Sequence, residues 1–307
     1  MRILVTGSTG FTGSALLSYL SGIDGLDITA VVHKKSARTI HNNIRYVKSS
    51  LWTLPELLEQ QAPFDAIFHL ARISGKRWGN VGRLLAGLQG AITNKRILGA
   101  LKRYHGNARL VYLSGSLMYG HNPGKVLVET DALNPTGFGK YYYYAERPLL
   151  NALRNDNSCN IIMLRAPWIL GKGSWFSQLY EQHIQSRKSV PVYGNENRRM
   201  SVIAVEDCAG MLWHYALSAP APGIYNIYTF GDIVYSNFIN SLAKAYRQAE
   251  ITHYTEDDML RVVDSTTTSS ILCEVVLDTA HKELLNGYQP LFTDIDTYIA
   301  QLATQNG

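Results

Sequence analysis

The chain predicts an α/β fold built on a doubly wound parallel sheet, and three observations predict it. Short apolar runs alternate with helix-length segments through the first half. The first run, Ile3-Leu4-Val5, leads straight into glycines at positions 7, 10 and 13. Beyond about residue 170 the alternation loosens into shorter pieces punctuated by Gly171, Gly173, Pro191, Gly194, Pro220, Pro222 and Gly223.

The opening run is unbroken by polar residues, which suits a central strand covered on both faces. Gly7 permits the tight turn after it, Gly10 lets the main chain approach phosphate groups, and Gly13 lets the next helix pack close to the sheet. That helix starts near Phe11, so its unpaired N–H groups and positive dipole end face whatever anion the turn holds. Strands follow at 28–32 and 44–47, then a helix over 54–61 and a strand at 66–70. A long helix from about 81 to 104 leads to a strand at 109–113, a helix over 141–154 and a strand at 161–164. Right-handed crossovers turn this order into a Rossmann-type sheet with helices on it. Residues 1–170 are expected to form the dinucleotide-binding domain, with later strands returning to its sheet near 200–230. Residues 171–307 are expected to form mainly a smaller C-terminal substrate-binding lobe.

Composition narrows the function classes. The 307 residues are 46% hydrophobic and 17% charged, as in an enzyme with a sizeable core. A net charge of +5 allows nucleic acid as a partner, but the basic residues are scattered and the pairs Lys34-Lys35 and Arg198-Arg199 are short. Small phosphorylated ligands explain the charge more economically. Three cysteines without Cys-x-x-Cys spacing, and nine histidines without a His-x-x-x-His pair, argue against a disulfide framework and against a metal site. No apolar stretch approaches the roughly 20 residues that cross a bilayer, and a strand that starts at Ile3 leaves no room for a signal peptide. The expectation is a cytoplasmic protein that binds a small-molecule substrate and neither nucleic acid nor membrane.

Six segments in order resemble the extended short-chain dehydrogenase/reductase family, which includes nucleotide-sugar epimerases and dehydratases. Thr6-Gly7-Ser8-Thr9-Gly10-Phe11-Thr12-Gly13 is similar to its opening fingerprint, and Phe68-His69-Leu70-Ala71 to its fourth-strand motif. The stretch from Leu113 to Gly120 resembles the segment bearing the family's catalytic serine or threonine. The stretch from Leu164 to Gly171, with Pro167, Trp168 and Ile169, resembles the segment that passes under the nicotinamide. Val202 to Ala209 and Gly223 to Ile227 resemble two later motifs. The resemblance extends over essentially the whole chain. It implies a nicotinamide dinucleotide held by Gly7, Thr9, Gly10, Phe11, Thr12 and Gly13, with Ser50, Leu51, Leu70, Ala71 and Arg72 beside it. It also implies a homodimer through the helix that carries the tyrosines and the helix before it.

An enzyme that uses NAD usually places an acid about 20 residues beyond the last glycine, to accept from the ribose 2′-OH. Here that place holds His33, followed by Lys34, Lys35 and then Arg38. Such a cluster attracts a 2′-phosphate that a carboxylate repels, so NADP(H) is favoured over NAD(H). Asp27 opens the second strand rather than closing it and is no substitute. The family's acidic residue near the adenine is replaced by Ser49-Ser50.

The catalytic centre departs from the family pattern. A tyrosine with a lysine four residues on is expected, since spacing of four places both on one helix face and the lysine lowers the phenol pKa. The local sequence is instead Phe138-Gly139-Lys140-Tyr141-Tyr142-Tyr143-Tyr144-Ala145-Glu146-Arg147. Anchored on Glu146, Phe138 takes the tyrosine position and Tyr142 the lysine position, and the acid is lost. Shifted by five, Tyr143 pairs with Arg147, which keeps the charge without lysine geometry. Lys140 offers a cation one turn earlier. Tyr143 is the expected acid and Tyr142 its competitor. Gly115 stands at the usual serine position, so Ser114 and Ser116 are the candidate hydroxyls, Ser116 ranked first. No Gly-x-Ser-x-Gly elbow supports a serine hydrolase.

On the substrate side, Arg198 and Arg199 lie near an arginine that nucleotide-sugar enzymes of the family carry, but Met200 takes the nearest position. Trp78, Trp168, Trp175 and Phe176 are expected to border the cleft and suit an apolar or aromatic carbonyl compound. The leading expectation is an NADP-dependent oxidoreductase that reduces a carbonyl or activated alkene. The alternatives are a nucleotide-sugar epimerase or dehydratase, and a non-catalytic NADP-binding regulator that has lost the tyrosine–lysine pair.

Overall fold

The computed structural model describes residues 1–34, 41–75, 78–155, 159–247 and 249–304. The chain forms two compact units, Met1–Ser114 with Tyr141–Arg165 and Ala209–Tyr225, and Gly115–Lys140 with Ala166–Cys208 and Asn226–Gly307. The first unit thus collects three stretches of sequence, and the segment 115–140 belongs to the second.

The first unit carries the sheet. Its strands are β1 (Arg2–Thr6), β2 (Asp27–Val32), β3 (Ile44–Lys48), β4 (Ala66–His69) and β5 (Arg109–Gly115), joined by two strands from later sequence, β7 (Ile161–Ala166) and β11 (Gly223–Asn226). They lie in the order β11-β7-β5-β4-β1-β2-β3. From β3 across to β5 neighbours pair in parallel, with Ile3 opposite Ile28 on one side and Ala66 on the other. The expected doubly wound α/β sheet is the observed one. Ile3, Leu4, Val5, Ala66, Phe68 and Val111 are fully enclosed, as strands covered on both faces require.

The flanking helices are α1 (Phe11–Ser21), α2 (Leu54–Glu59), α3 (Gly79–Tyr104), α4 (Gly139–Asn155) and α6 (Val205–Ser218). Helices α3 and α4 touch at backbone distance because α3 carries glycines there. A Cβ on Gly87 would stand 2.4 Å from the Tyr141 carbonyl oxygen, and one on Gly90 would stand 2.7 Å from the Ala145 methyl. These contacts fix the rotation of α4: the Tyr141 carbonyl and the Cβ atoms of Tyr144 and Ala145 face α3. The opposite edge of α3 presents Val81, Leu84, Leu85, Leu88 and Ile92, all exposed.

The second unit has smaller sheets. Strands β8 (Trp168–Leu170), β10 (Arg199–Ala204) and β12 (Phe230–Val234) form one in the order β12-β10-β8. Strand β9 (Ser189–Tyr193) pairs with β13 (Glu250–Tyr254), and β6 (Val126–Leu127) with β14 (Val276–Leu277). Of the strands expected to return to the main sheet near 200–230, β11 does so, whereas β10 belongs to this separate sheet. Helices α5 (Gln182–Arg187), α7 (Tyr235–Ala245), α8 (Glu256–Leu260), α9 (Ser265–Ile271), α10 (Lys282–Asn286) and α11 (Ile295–Thr304) complete the unit. Its core gathers Leu170, Phe176, Tyr180, Val202, Phe238 and Tyr298, with Trp168 and Trp175 packed against it. Phe176, expected at the border of a cleft, is therefore a core residue; Trp78 is exposed. Among the described residues, no helix is long and apolar enough to cross a membrane and no cluster of His, Cys, Asp or Glu could hold a metal ion.

Candidate dinucleotide site

The turn after β1 is shaped by what its glycines lack. Gly7 has φ +70°, and a Cβ there would lie 2.7 Å from the Ala71 nitrogen on the loop that leaves β4. A Cβ on Gly13 would lie 2.1 Å from the Gly7 carbonyl oxygen, so α1 packs directly on the turn. The Ser8 hydroxyl donates to the Val31 carbonyl at 2.6 Å and ties the turn to the end of β2. Helix α1 is capped by Gly10 with no side-chain hydrogen bond and has no acid in its first turn. Its first N–H groups are thus left for an anion.

Around this turn lies a cleft of about 580 Å³, within the range of small-molecule sites. The structure brings to its lining Gly7, Thr9, Gly10, His33, Lys34, Ser50, Leu51, Leu70, Ala71 and Arg72. Its basic side chains are His33, Lys34 and Arg72, and no carboxylate is among the described lining residues. Phe11, Thr12 and Gly13 form the first turn of α1 behind the glycine loop. Lys35 and Arg38 lie outside the described residues. Pro167, Trp168 and Ile169 belong to the second unit.

Sequence reasoning missed Thr6, Trp52, Ile73, Ser74 and Gln89 as lining residues. Trp52 sits in the turn after β3, where Ser50 and Thr53 hydrogen-bond each other. Arg96 on α3 holds Trp52, donating to its carbonyl at 2.9 Å while also donating to Glu56 at 2.6 Å. Cluster residues that are distant in sequence carry no spacing signal, so only the fold reveals them.

A buried hydrogen-bonded chain links the cleft floor to α4. The Asn94 amide donates to the Ala145 carbonyl at 2.8 Å, which leaves the Asn94 oxygen to accept from His69 Nε2 at 2.9 Å. His69 Nδ1 is then an acceptor for the Thr6 hydroxyl at 2.8 Å, and Thr6 Oγ1 accepts the Ala71 N–H at 3.3 Å. With His69 neutral, every member of the chain has a consistent direction. Burial holds its pKa below the usual imidazole value, against the opposing pull of the Asn94 hydrogen bond.

Tyr142 of the tyrosine run touches a residue of the cleft lining. The Arg72 guanidinium lies 3.8 Å from the centre of the Tyr142 ring, a cation–π contact. One turn on, Glu146 is buried and accepts from the Ser114 hydroxyl at 2.5 Å and from Arg165 at 3.3 Å. Ser114 thus has its hydroxyl proton committed to Glu146. Ser116, also buried, opens a short 3₁₀ turn, Ser116–Met118, in the second unit. Tyr143 is half-buried, and both Lys140 and Arg147 are exposed. Tyr142 stands one turn before Glu146 on α4, and Phe138 immediately precedes the helix.

Arg198 and Arg199 are both engaged within the second unit. Arg198 is buried, donates to the Tyr193 and Asn195 carbonyls, and lies 3.5 Å from the centre of the Tyr235 ring. Arg199 is paired with Asp232.

Residues 3–227 match the NAD dependent epimerase/dehydratase family. An uncharacterised UDP-glucose epimerase, YtcB of Bacillus subtilis, is 29% identical over 228 residues, 68% of this chain and 70% of that protein. Among solved structures, the human epimerase family protein SDR39U1 with NADPH has a TM-score of 0.79 at 19% identity, over 99% of both chains. The dTDP-glucose 4,6-dehydratase of Bacillus anthracis in complex with NAD also has a TM-score of 0.79, at 16% identity, over 99% of this chain and 96% of that one.

A neutral, buried His69 gives a stability that depends on pH. His105 behaves alike: burial lowers its pKa, its Nδ1 accepts the Phe64 N–H and its Nε2 donates to the Leu58 carbonyl. Both sites bind a proton more readily in the unfolded chain. Stability is therefore full above the unfolded histidine pKa of about 6.5 and declines as pH falls below it. Asp131, held low by the Lys125 side chain, adds its loss only below about pH 4. Urea midpoints measured from pH 8 to pH 5 should fall, and His69→Gln should lower the unfolding free energy at pH 8 by about 1–3 kcal/mol while flattening the pH slope. An unchanged slope in that variant contradicts the neutral assignment.

Proposed function

We propose that this chain, which belongs to the NAD dependent epimerase/dehydratase family, binds NADP(H) in the cleft around Gly7 and reduces a carbonyl or activated alkene of a small organic substrate. The observation that carries this reading is the cleft lining: a phosphate cradle bordered by His33, Lys34 and Arg72, with no carboxylate among its described residues. The glycine positions fit the group, because Cβ atoms at Gly7 and Gly13 would collide with the Ala71 backbone and the Gly7 carbonyl, so the tight turn that presents the first N–H groups of α1 requires glycine there. The dinucleotide, when bound, supplies the hydride.

The residues of this chain supply the rest. The first N–H groups of α1 hold the pyrophosphate. His33 and Lys34, with Lys35 and Arg38 from the sequence, receive the 2′-phosphate, and Ser50 and Leu51 border the adenine. On α4, Tyr143 donates the proton to the substrate oxygen, and Tyr142 is its competitor. The exposed cations Lys140 and Arg147 stand three residues before Tyr143 and four after it in sequence.

A second reading is a nucleotide-sugar epimerase or dehydratase, and the UDP-glucose epimerase of B. subtilis favours it. The engagement of Arg198 with two carbonyls and of Arg199 with Asp232 speaks against it. Phe138 in the acid register supports a third reading, a regulator that binds NADP without turnover. The exposed apolar stripe on α3 supports a homodimer.

Fluorescence titration should find NADPH bound about tenfold or more tightly than NADH, as one charge-assisted phosphate contact supplies. Lys34→Glu should erase that preference; equal affinities in the unaltered chain sink the NADP assignment. Against a carbonyl panel, Tyr143→Phe should cut turnover about a hundredfold or more with NADPH affinity unchanged. The same loss in Tyr142→Phe alone transfers the role to Tyr142. Interconversion of UDP-glucose without net dinucleotide consumption supports the epimerase, and tight NADPH binding with no turnover supports the regulator. Sedimentation velocity should give a dimer that Leu88→Glu converts to a monomer; a monomeric unaltered chain removes the role given to α3.

A further inference from the structure

The cations of the cleft stand on two sides of the glycine turn. His33 and Lys34 follow β2, Arg72 follows β4, and β1 lies between those strands. A dinucleotide whose pyrophosphate rests on the turn has two unlike halves, so the two groups of cations meet different chemistry. The 2′-phosphate falls to the β2 side on the reading above, on which this inference rests. The β4 side is left with the nicotinamide ribose and its phosphate.

Arg72 is built for that task in a way that Lys34 is not. It is exposed, so its charge is not consumed by a buried pairing. Its guanidinium carbon lies over the Tyr142 ring, 3.8 Å from the ring centre, so the ring backs the cation. A guanidinium stacked by its face keeps its N–H edge free to donate to hydroxyl or phosphate oxygens in the cleft. Stacking also fixes side-chain torsions before any ligand arrives, which reduces the ordering cost of binding. The neighbouring backbone is equally fixed, because the Ala71 N–H is held by Thr6 and the Gly7 turn abuts Ala71. Tyr142 in turn cannot rotate with the helix, since Tyr141 and Ala145 on either side of it are locked against the α3 glycines.

We propose that Arg72 and Tyr142 form a paired device in which the Tyr142 ring positions the Arg72 guanidinium to bind the ribose and phosphate of the nicotinamide half. Arg72 is the binding residue, and Tyr142 is its positioning residue through the ring rather than the hydroxyl. The charge that holds this half of the ligand comes from the loop after β4, not from α4 itself.

Two ligands separate the halves: NADPH, and 2′,5′-ADP, which lacks the nicotinamide half. Isothermal titration of the purified chain should show that Arg72→Gln weakens NADPH about tenfold and leaves 2′,5′-ADP within about twofold. Tyr142→Phe keeps the ring and should retain NADPH affinity. Tyr142→Leu removes the platform and should reproduce part of the Arg72→Gln loss, and the double variant should be no weaker than Arg72→Gln alone. Affinity for 2′,5′-ADP reports in each variant that the cleft is still folded. Unchanged NADPH affinity in Arg72→Gln, or an equal loss for both ligands, overturns the device. Additive losses in the double variant overturn the role of Tyr142. A wild-type chain that binds neither ligand overturns the reading of the cleft and this device together.

Discussion

The contact from which the site is organised is the hydrogen-bonded chain from Thr6 through His69 and Asn94 to the Ala145 carbonyl. It joins the ends of two central strands to α3 and α4, so four elements share one buried polar line. An unpaired polar group at that depth costs about 1–3 kcal/mol, and each member here depends on the next for its partner. Removing one atom leaves several unsatisfied, which makes the arrangement all-or-none. Its upper end holds the Ala71 N–H and hence the loop against Gly7, and its lower end holds the backbone of the tyrosine helix. Cleft and helix are therefore placed by the same constraint.

Steric exclusion acts alongside this polar line. Gly7 and Gly13 permit the turn to fold back on itself, and Gly87 and Gly90 permit α3 and α4 to touch. In both places a missing side chain lets one backbone stand where a methyl group otherwise sits. The consequence for α4 is a fixed rotation. With the Tyr141 carbonyl, Tyr144 and Ala145 against α3, Glu146 faces elsewhere and is buried with Ser114 and Arg165. Consecutive tyrosines thus meet different neighbours: Tyr141 and Tyr144 stand against Gly87, and Tyr142 against Arg72.

What could be read from the sequence follows the range of the signals. Strands β1, β2, β3 and β4 and helices α1, α3 and α4 were legible within a few residues because apolar periodicity and glycine turns are local. The glycine cradle was legible for the same reason, and so was the basic end of β2 at Lys34. Strand β10 was harder: Arg199–Ala204 is apolar and strand-like whichever sheet receives it, so its sequence could not say that it pairs with β8 and β12. The Ser114–Glu146 bond joins residues 32 apart, and the fate of Ser114 depended on it. Trp52, Ile73 and Gln89 line the cleft from three separate elements and share no spacing that marks them.

Charge is the least local signal of all. A motif search asks whether a lysine follows a tyrosine by four residues, because one helix turn then delivers the cation. Coulombic attraction asks only where the charge ends up and how well it is shielded from water. Residue 142 is a tyrosine, yet a guanidinium lies 3.8 Å from its ring centre, delivered by residue 72 from the end of a neighbouring strand. An aromatic ring on a helix and a cation on a loop can thus occupy together the space that one long basic side chain fills alone. The two arrangements differ in stiffness: a lysine side chain carries about 2 kcal/mol of rotamer entropy, whereas a stacked guanidinium has given up much of that freedom before a ligand binds. Reading the tyrosine run as a loss of charge follows from the helix alone; with the loop after β4 beside it, one ring of the run, Tyr142, has a guanidinium over it.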